Sequence, residues 1–414
     1  MAVLLATTTL LAQTNSSLSE ARLSPAERSI AQASQLIDKS PKNYSAYNAL
    51  ALGQLRRARE TSDMSFYVQA DETLKKSFAI SPGNFDGERI RVWLLLGRHE
   101  FTTALEEAHK LNKRLPDDVL VYGFLSDANA ELGNYEDAEK ATQLMLNLRP
   151  GNLPALTRAA YLRELFGDVD GSLELMQMVL EATPPAESAD QAWILSQIGR
   201  LQLSEGKLVE SEKSLQSALS LFPNYYYALG HLAQVRIVQR KYNEAISLLE
   251  QCYQAVPRPE NLYDLAMALE RAGKSIDSQN VYAEFESKSL LEIDRSYNSN
   301  QQLTFYYADH AMQPAKALDV AQREFARRHD VYTRDAYAWA LHVNGRNQEA
   351  RKQIETALAI GIRDANLFRH AGEIALTLGD RLSAEHYLSQ ASELKGPDSE
   401  QARILLASLT GKAR

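Results

Sequence analysis

An all-α solenoid of about ten stacked helical hairpins, with a capping helix at each end, follows from three features of the sequence. Pro116, Pro150 and Pro184 stand thirty-four residues apart, and after one thirty-nine-residue step Pro223 and Pro257 resume the interval. A glycine recurs in fixed phase as Gly133, Gly167, Gly206, Gly273, Gly345 and Gly379. Two series of small residues accompany it: Ser126, Ala160, Gly199, Ala233, Ala266, Ala338 and Gly372, then Ala138, Ser172, Ser211, Ala245, Ser278, Ala350 and Ala384. A period near thirty-four marks an array of helical hairpins. Such arrays present a long surface rather than a single catalytic pocket.

The cleanest unit, residues 117–150, shows the layout. A first helix carries Tyr122, Leu125 and Ser126, the turn is Leu132-Gly133-Asn134-Tyr135, and a second helix carries Ala138, Met145 and Leu148. Glycine takes a left-handed backbone without steric cost, so Gly133 ends the first helix. The ring of Pro150 cannot continue the second. Apolar residues three and four apart give each helix one buried stripe. Two small series in fixed phase let paired antiparallel helices cross closely. Arg240 replaces the turn glycine between Gly206 and Gly273; a left-handed arginine there costs about 1 kcal/mol.

The rhythm breaks in three places. About seven extra residues lie between Leu55 and Ala70 and are expected to lengthen the first turn. Pro184-Pro185-Ala186-Glu187-Ser188 adds five before the fifth unit. The stretch 284–302 reads as an extended helix and then a joint. Beyond it, Pro314 falls at the start of a second helix, where proline is tolerated. Residues 25–39 form an amphipathic helix ending before Pro41, and 398–409 a final helix with Asp398 or Ser399 as N-cap. Such ends shield a solenoid from water.

The order of Ser126, Gly133, Tyr135, Ala138 and Pro150, together with Tyr242-Asn243-Glu244-Ala245, resembles the tetratricopeptide repeat. The resemblance covers about 43–395 and implies a right-handed superhelix with the first helices on its concave face. It divides the chain into a capping helix (15–42), hairpins one to seven (43–292), hairpins eight to ten (293–395), and a C-terminal cap and tail (396–414). By the family's register the concave face receives Arg158 and Tyr161, then Trp193, Gln197 and Arg200. Tyr227, His231 and Gln234 follow, then Tyr263, Asp264 and Met267. Further on the register supplies Tyr332, Asp335, Trp339 and His342, then Arg369, His370 and Glu373.

Composition limits the function. The chain has 53 acidic against 45 basic residues, a net charge of −8, and no local basic stripe, so nucleic acid is not the expected partner. A single cysteine, Cys252, excludes an intramolecular disulfide and is expected to be a buried, inert thiol. No apolar run approaches the ~20 residues of a transmembrane helix. Residues 2–12 form an apolar run before a polar stretch, which resembles part of a secretory signal over 1–14 and suggests an exported, periplasmic or secreted protein.

No phosphate-binding glycine loop, dinucleotide fingerprint, zinc-protease motif or paired cysteine motif occurs. Asp168 and Asp170 read as turn and capping chemistry, and His370 and His386 match no common metal spacing. No cofactor, metal or catalytic residue is expected. The expected function is a non-enzymatic scaffold that captures a peptide segment of a partner protein in its concave groove. Aromatics would supply affinity, and Arg158 and Arg200 a bidentate grip on a carboxylate. The alternatives are a structural subunit of an envelope or secretion assembly and, in another class, an enzyme subunit or a nucleic-acid-binding helical repeat.

Overall fold

Each helix begins and ends where local chemistry requires. Helix α1 (Pro25–Lys39) opens on a capping box: the Ser24 hydroxyl accepts from the Glu27 amide, and the Glu27 carboxylate accepts from the Ser24 amide. The computed structural model describes residues 23–411 apart from 395, 397 and 398. The signal-like segment 1–14 and the candidate cap Asp398 lie outside the described residues.

Ten hairpins follow α1. The first five are α2 (Tyr44–Thr61) with α3 (Ser65–Ile80), α4 (Phe85–Gly97) with α5 (Phe101–Arg114), α6 (Val119–Glu131) with α7 (Tyr135–Leu148), α8 (Leu153–Leu165) with α9 (Val169–Ala182), and α10 (Ser188–Ser204) with α11 (Leu208–Leu221). Then come α12 (Tyr226–Val238) with α13 (Tyr242–Ala255) and α14 (Pro259–Arg271) with α15 (Ser275–Leu290). In the eighth, α16 (Asn300–Phe305) runs into a π-helical turn (Tyr306–His310) before α17 (Pro314–Phe325), which starts on its proline. The last two are α18 (Val331–Val343) with α19 (Asn347–Leu358) and α20 (Ala365–Thr377) with α21 (Arg381–Glu393), and α22 (Ser399–Thr410) covers the end. No strand occurs among the described residues.

Every hairpin turns through one left-handed residue. These are Ser62, His99, Gly133, Gly167, Gly206, Arg240, Gly273, Met312, Gly345 and Gly379, with φ from 52° to 84°. Arg240 therefore adopts the strained backbone expected of it, and Ser62, His99 and Met312 share the cost. Within hairpins the small residues meet. Ser126 and Thr142 share a 2.7 Å hydrogen bond, and Ser211 donates to the Gly199 carbonyl at 2.6 Å. A Cβ on Gly199 would stand 2.6 Å from Leu215.

The extra residues between Leu55 and Ala70 lengthen a helix rather than a turn. Helix α2 has 18 residues and α10 has 17, against 13 in α4, α6, α8, α12 and α14. The two long helices face each other across the superhelix. Arg56 reaches Glu187 at 3.4 Å and Arg59 reaches Asp190 at 3.5 Å.

Those contacts belong to a series, because successive superhelical turns rest on one another. Arg28 of α1 donates to the Ala186 carbonyl ahead of hairpin five. The turn of hairpin three meets the loop ahead of hairpin nine: the Tyr135 hydroxyl accepts from the Val331 amide at 2.8 Å, and Glu131 pairs with Arg328 at 2.6 Å. A Cβ on Gly133 would lie 2.5 Å from the His329 carbonyl oxygen, and one on Gly167 2.5 Å from that of Gly361. One core cluster joins Ala130, Leu162 and Leu165 to Val331, Leu341, Ile354 and Leu367.

The turn glycines therefore divide by position. Gly345→Ala meets open space and is expected to cost only the left-handed strain, about 1 kcal/mol. Gly133→Ala and Gly167→Ala add a backbone collision and are expected to cost about 2–5 kcal/mol. Urea unfolding of the three variants measures the difference.

Candidate functional site

The concave wall is built from three residues of each first helix, spaced four and then three apart, which places them on one helical face. In α2 these are Ser45, Ala49 and Leu52; in α4, Asp86, Ile90 and Trp93; in α6, Leu120, Phe124 and Asp127; in α8, Pro154, Arg158 and Tyr161. The stripe continues as Trp193, Gln197 and Arg200 of α10 and Tyr227 of α12. Together they line a groove of about 730 Å³ over hairpins one to four and an adjoining inner chamber of about 670 Å³. Arg59, Trp93, Asp127, Pro154 and Arg158 border both.

The chamber is partly open to solvent. Tyr161 and Tyr227 each keep 37% of their surface accessible, and that surface faces the chamber they line. Surrounding protein raises the Tyr161 hydroxyl well above its ordinary range, with the Glu131 carboxylate adding to the rise. Trp193 packs on the apolar clusters of both neighbouring hairpins while the Arg59 guanidinium lies 5.7 Å from its ring.

The charges lining the chamber are matched. Arg158 donates to the Gly123 and Pro154 carbonyls and to Asp127 at 2.5 Å. Arg200 grips Glu164 through both terminal nitrogens, at 2.5 and 2.7 Å, and donates to Gln197 through Nε. Arg328 bridges Glu131 and Asp330 at 2.6 and 2.7 Å. Burial raises the Glu131 carboxyl above the usual carboxylate range, with Arg328 opposing and Asp330 adding to the rise. The expected grip of Arg158 and Arg200 on a partner's carboxylate thus meets two guanidiniums already engaged by the chain's own acids.

Six of the register-derived residues, Arg158, Tyr161, Trp193, Gln197, Arg200 and Tyr227, come together around the chamber. His231 and Gln234 continue the stripe along α12. Burial first, and then Arg200, lower the His231 pKa to about 4, while the neighbouring Gln234 side chain opposes them; Nδ1 is buried without a hydrogen-bond partner. Tyr263 and Met267 belong elsewhere. Tyr263 packs 5.4 Å from Phe285 in the core between α14, α15 and α16, and Met267 lies against that core. Asp264 is exposed, near Cys252. Cys252 is 2% exposed, and burial pushes its thiol up to about 12.

The C-terminal stripe also turns inward. His370 bonds Asp335 through Nδ1 at 2.6 Å and faces Arg369 through Nε2 at 2.7 Å, while Trp339 stacks on it at 4.1 Å. These side chains tie hairpins eight to ten together. Conversely, the contributions of α2, α4 and α6 were not anticipated. Their signal was present: the four-then-three spacing recurs there, with fewer aromatics and arginines to mark it. No group of three or more metal-ligating side chains occurs among the described residues, and none of their helices is long and apolar enough to cross a membrane.

Stacked hairpins around an inward-facing stripe define an α-helical repeat protein with a concave face. The repeats are similar to those of tetratricopeptide repeat proteins. No protein-family model matches the chain. The TPR repeat-containing protein MJ1428 of Methanocaldococcus jannaschii is 24% identical over 263 residues, which is 56% of this chain and 46% of that protein. The match thus spans about half the length of that curated relative. The human IFIT1 dimer with m7Gppp-AAAA superposes with a TM-score of 0.52 at 14% identity, covering 87% of this chain and 84% of that one. The human IFIT1 dimer with PPP-AAAA gives 0.50 at 12%, covering 84% and 90%.

Two outcomes follow from the buried charges. Arg200→Ala leaves Glu164 enclosed without its partner and is expected to cost about 3 kcal/mol, most of it regained when Glu164→Gln is added; paired denaturation curves decide this. His231 is held neutral, so its contribution to stability is complete above the ordinary histidine pKa of 6.5 and is lost as pH falls toward about 4. His231→Gln is expected to remove about 2–3 kcal/mol of that acid-side loss, read from thermal melts across the window.

Proposed function

We propose that this chain is a non-enzymatic scaffold that takes up an extended segment of a partner protein along the groove of hairpins one to four and anchors it in the inner chamber. The supporting observation is the continuous stripe: three residues per first helix, in one register, lead from an open trough to a chamber walled by Trp93, Phe101, Tyr161, Trp193 and Tyr227. A stripe built over successive repeats suits an elongated ligand. Aromatic side chains in partly enclosed pockets carry most of the energy at protein interfaces.

Electrostatics favours a polypeptide over a nucleic acid. Binding a phosphate backbone draws on uncommitted cations, which release counterions. In this chamber Arg158, Arg200 and Arg59 each face a carboxylate at 2.5–3.5 Å. The IFIT1 structures that share the fold hold PPP-AAAA and m7Gppp-AAAA, so a role in binding such chains is the rival that the experiment must address. Catalysis is absent from the proposal because the acids and bases of the chamber are held in ion pairs or neutral, rather than poised beside a nucleophile.

A photoreactive amino acid placed at Ala49 or Leu120 in the groove, with Leu144 on the outer helix α7 as control, tests the reading in extract of the native host. Polypeptide cross-links from the groove positions alone are expected. A synthetic copy of the cross-linked segment should then bind about tenfold or more weakly to Trp93→Ala. Cross-links to nucleic acid, or none from either groove position, overturn it.

A further inference from the structure

The stacking of one superhelical turn on the next follows a register. The turn edges of hairpins one, three, four and six each carry the segment that begins the unit five or six places later. Ser62 of the first hairpin's turn lies beside Tyr226 at the start of hairpin six. Gly133 carries the loop ahead of hairpin nine, and Gly167 the loop ahead of hairpin ten. Arg240 of the sixth turn pairs with Glu400 of α22 at 2.7 Å.

Elsewhere the turns are open. Among the described residues nothing lies within 4 Å of where a Cβ would stand on Gly273, Gly345 or Gly379, the turn residues of hairpins seven, nine and ten. Gly151, in the loop ahead of hairpin four, is equally open. Two ledges therefore have no neighbour among the described residues: the turn edge of hairpins seven to ten, and the loop edge ahead of hairpins one to four. Large apolar side chains stand on both. Ile276, Met312 and Leu382 are 73–83% exposed on the first, and Leu36, Leu115 and Leu148 are 42–50% exposed on the second.

We propose that a second copy of this chain covers them, its loop edge resting on the first copy's turn edge so that the superhelix continues from one molecule into the next. The occupant is identified by continuity with an interface the chain already forms with itself. What fits a row of left-handed turns in this superhelix is a row of interhairpin loops with the same rise and curvature, and a second copy brings that row. The contact joins two different surfaces and so is heterologous; it does not close on itself after two subunits. Association is head to tail, and the concave groove of one copy lengthens into that of the next.

Sedimentation velocity of the full chain over a concentration series, with charge placed on one ledge at a time, tests this. Wild type is expected to gain mass with concentration. Ile276→Glu with Leu382→Glu, and separately Leu115→Glu with Leu148→Glu, are each expected to stay monomeric. Mixed together, they are expected to form a species of twice the monomer mass and nothing larger, because one intact ledge of each kind remains. All four positions are exposed, and circular dichroism with a thermal melt confirms that both variants fold. A wild type that is monomeric at its highest soluble concentration overturns the proposal. So does continued self-association of either double variant, which marks a symmetric interface, or a mixture that stays monomeric.

Discussion

Backbone packed on backbone between superhelical turns is the constraint on which the rest of this structure depends. A solenoid whose repeats touch only their neighbours leaves its concave face open along its length. Here the carbonyls of His329 and Gly361 sit against Gly133 and Gly167 with no room for a side chain between them. That approach draws hairpins three and four against hairpins nine and ten and joins them in one apolar core, while the chamber itself is lined by hairpins one to six. The matched charges follow from the same closure. Once Glu131 and Arg328 are enclosed together, either one alone would be a buried, uncompensated ion.

The fold was legible in the sequence because its determinants are local. Left-handed turns, stop prolines and small crossing residues each act within one hairpin, so a period of thirty-four residues carries them. Where glycine was missing, the register still located the turn, as at Arg240. The first long helix was misjudged for an equally local reason. Its added residues hold Arg56, Arg57 and Arg59, which look like turn polarity until Glu187 and Asp190 appear opposite them.

The site was legible in part, and the boundary is informative. Register alone found Arg158, Tyr161, Trp193, Gln197, Arg200 and Tyr227, because inward orientation is a property of one helix. It could not find their partners. Asp127 and Glu164 each quench an arginine of the following hairpin, and a pairing between helices leaves no mark on spacing. Tyr263 misled for a related reason: beyond the irregular joint, His310 joins Tyr282 and Phe285 of α15 around it and a concave position becomes core. Extending the four-then-three spacing back to Leu52, Trp93 and Phe124 would have shown the groove. Choosing positions by residue type, aromatic or arginine, hid it.

The shared core of hairpins three, four, nine and ten has a bearing on how the chain is made. A nearest-neighbour array can settle hairpin by hairpin as it leaves the ribosome. This chain cannot finish that way. Leu162 and Leu165 belong to a core completed by Val331, Leu341, Ile354 and Leu367, so their edge stays uncovered until some two hundred further residues have been synthesised. Contacts of that sequence separation slow folding and leave apolar surface exposed while it proceeds. The core that locks one superhelical turn onto the next also sets a period during synthesis when the nascent protein must be kept from sticking to others.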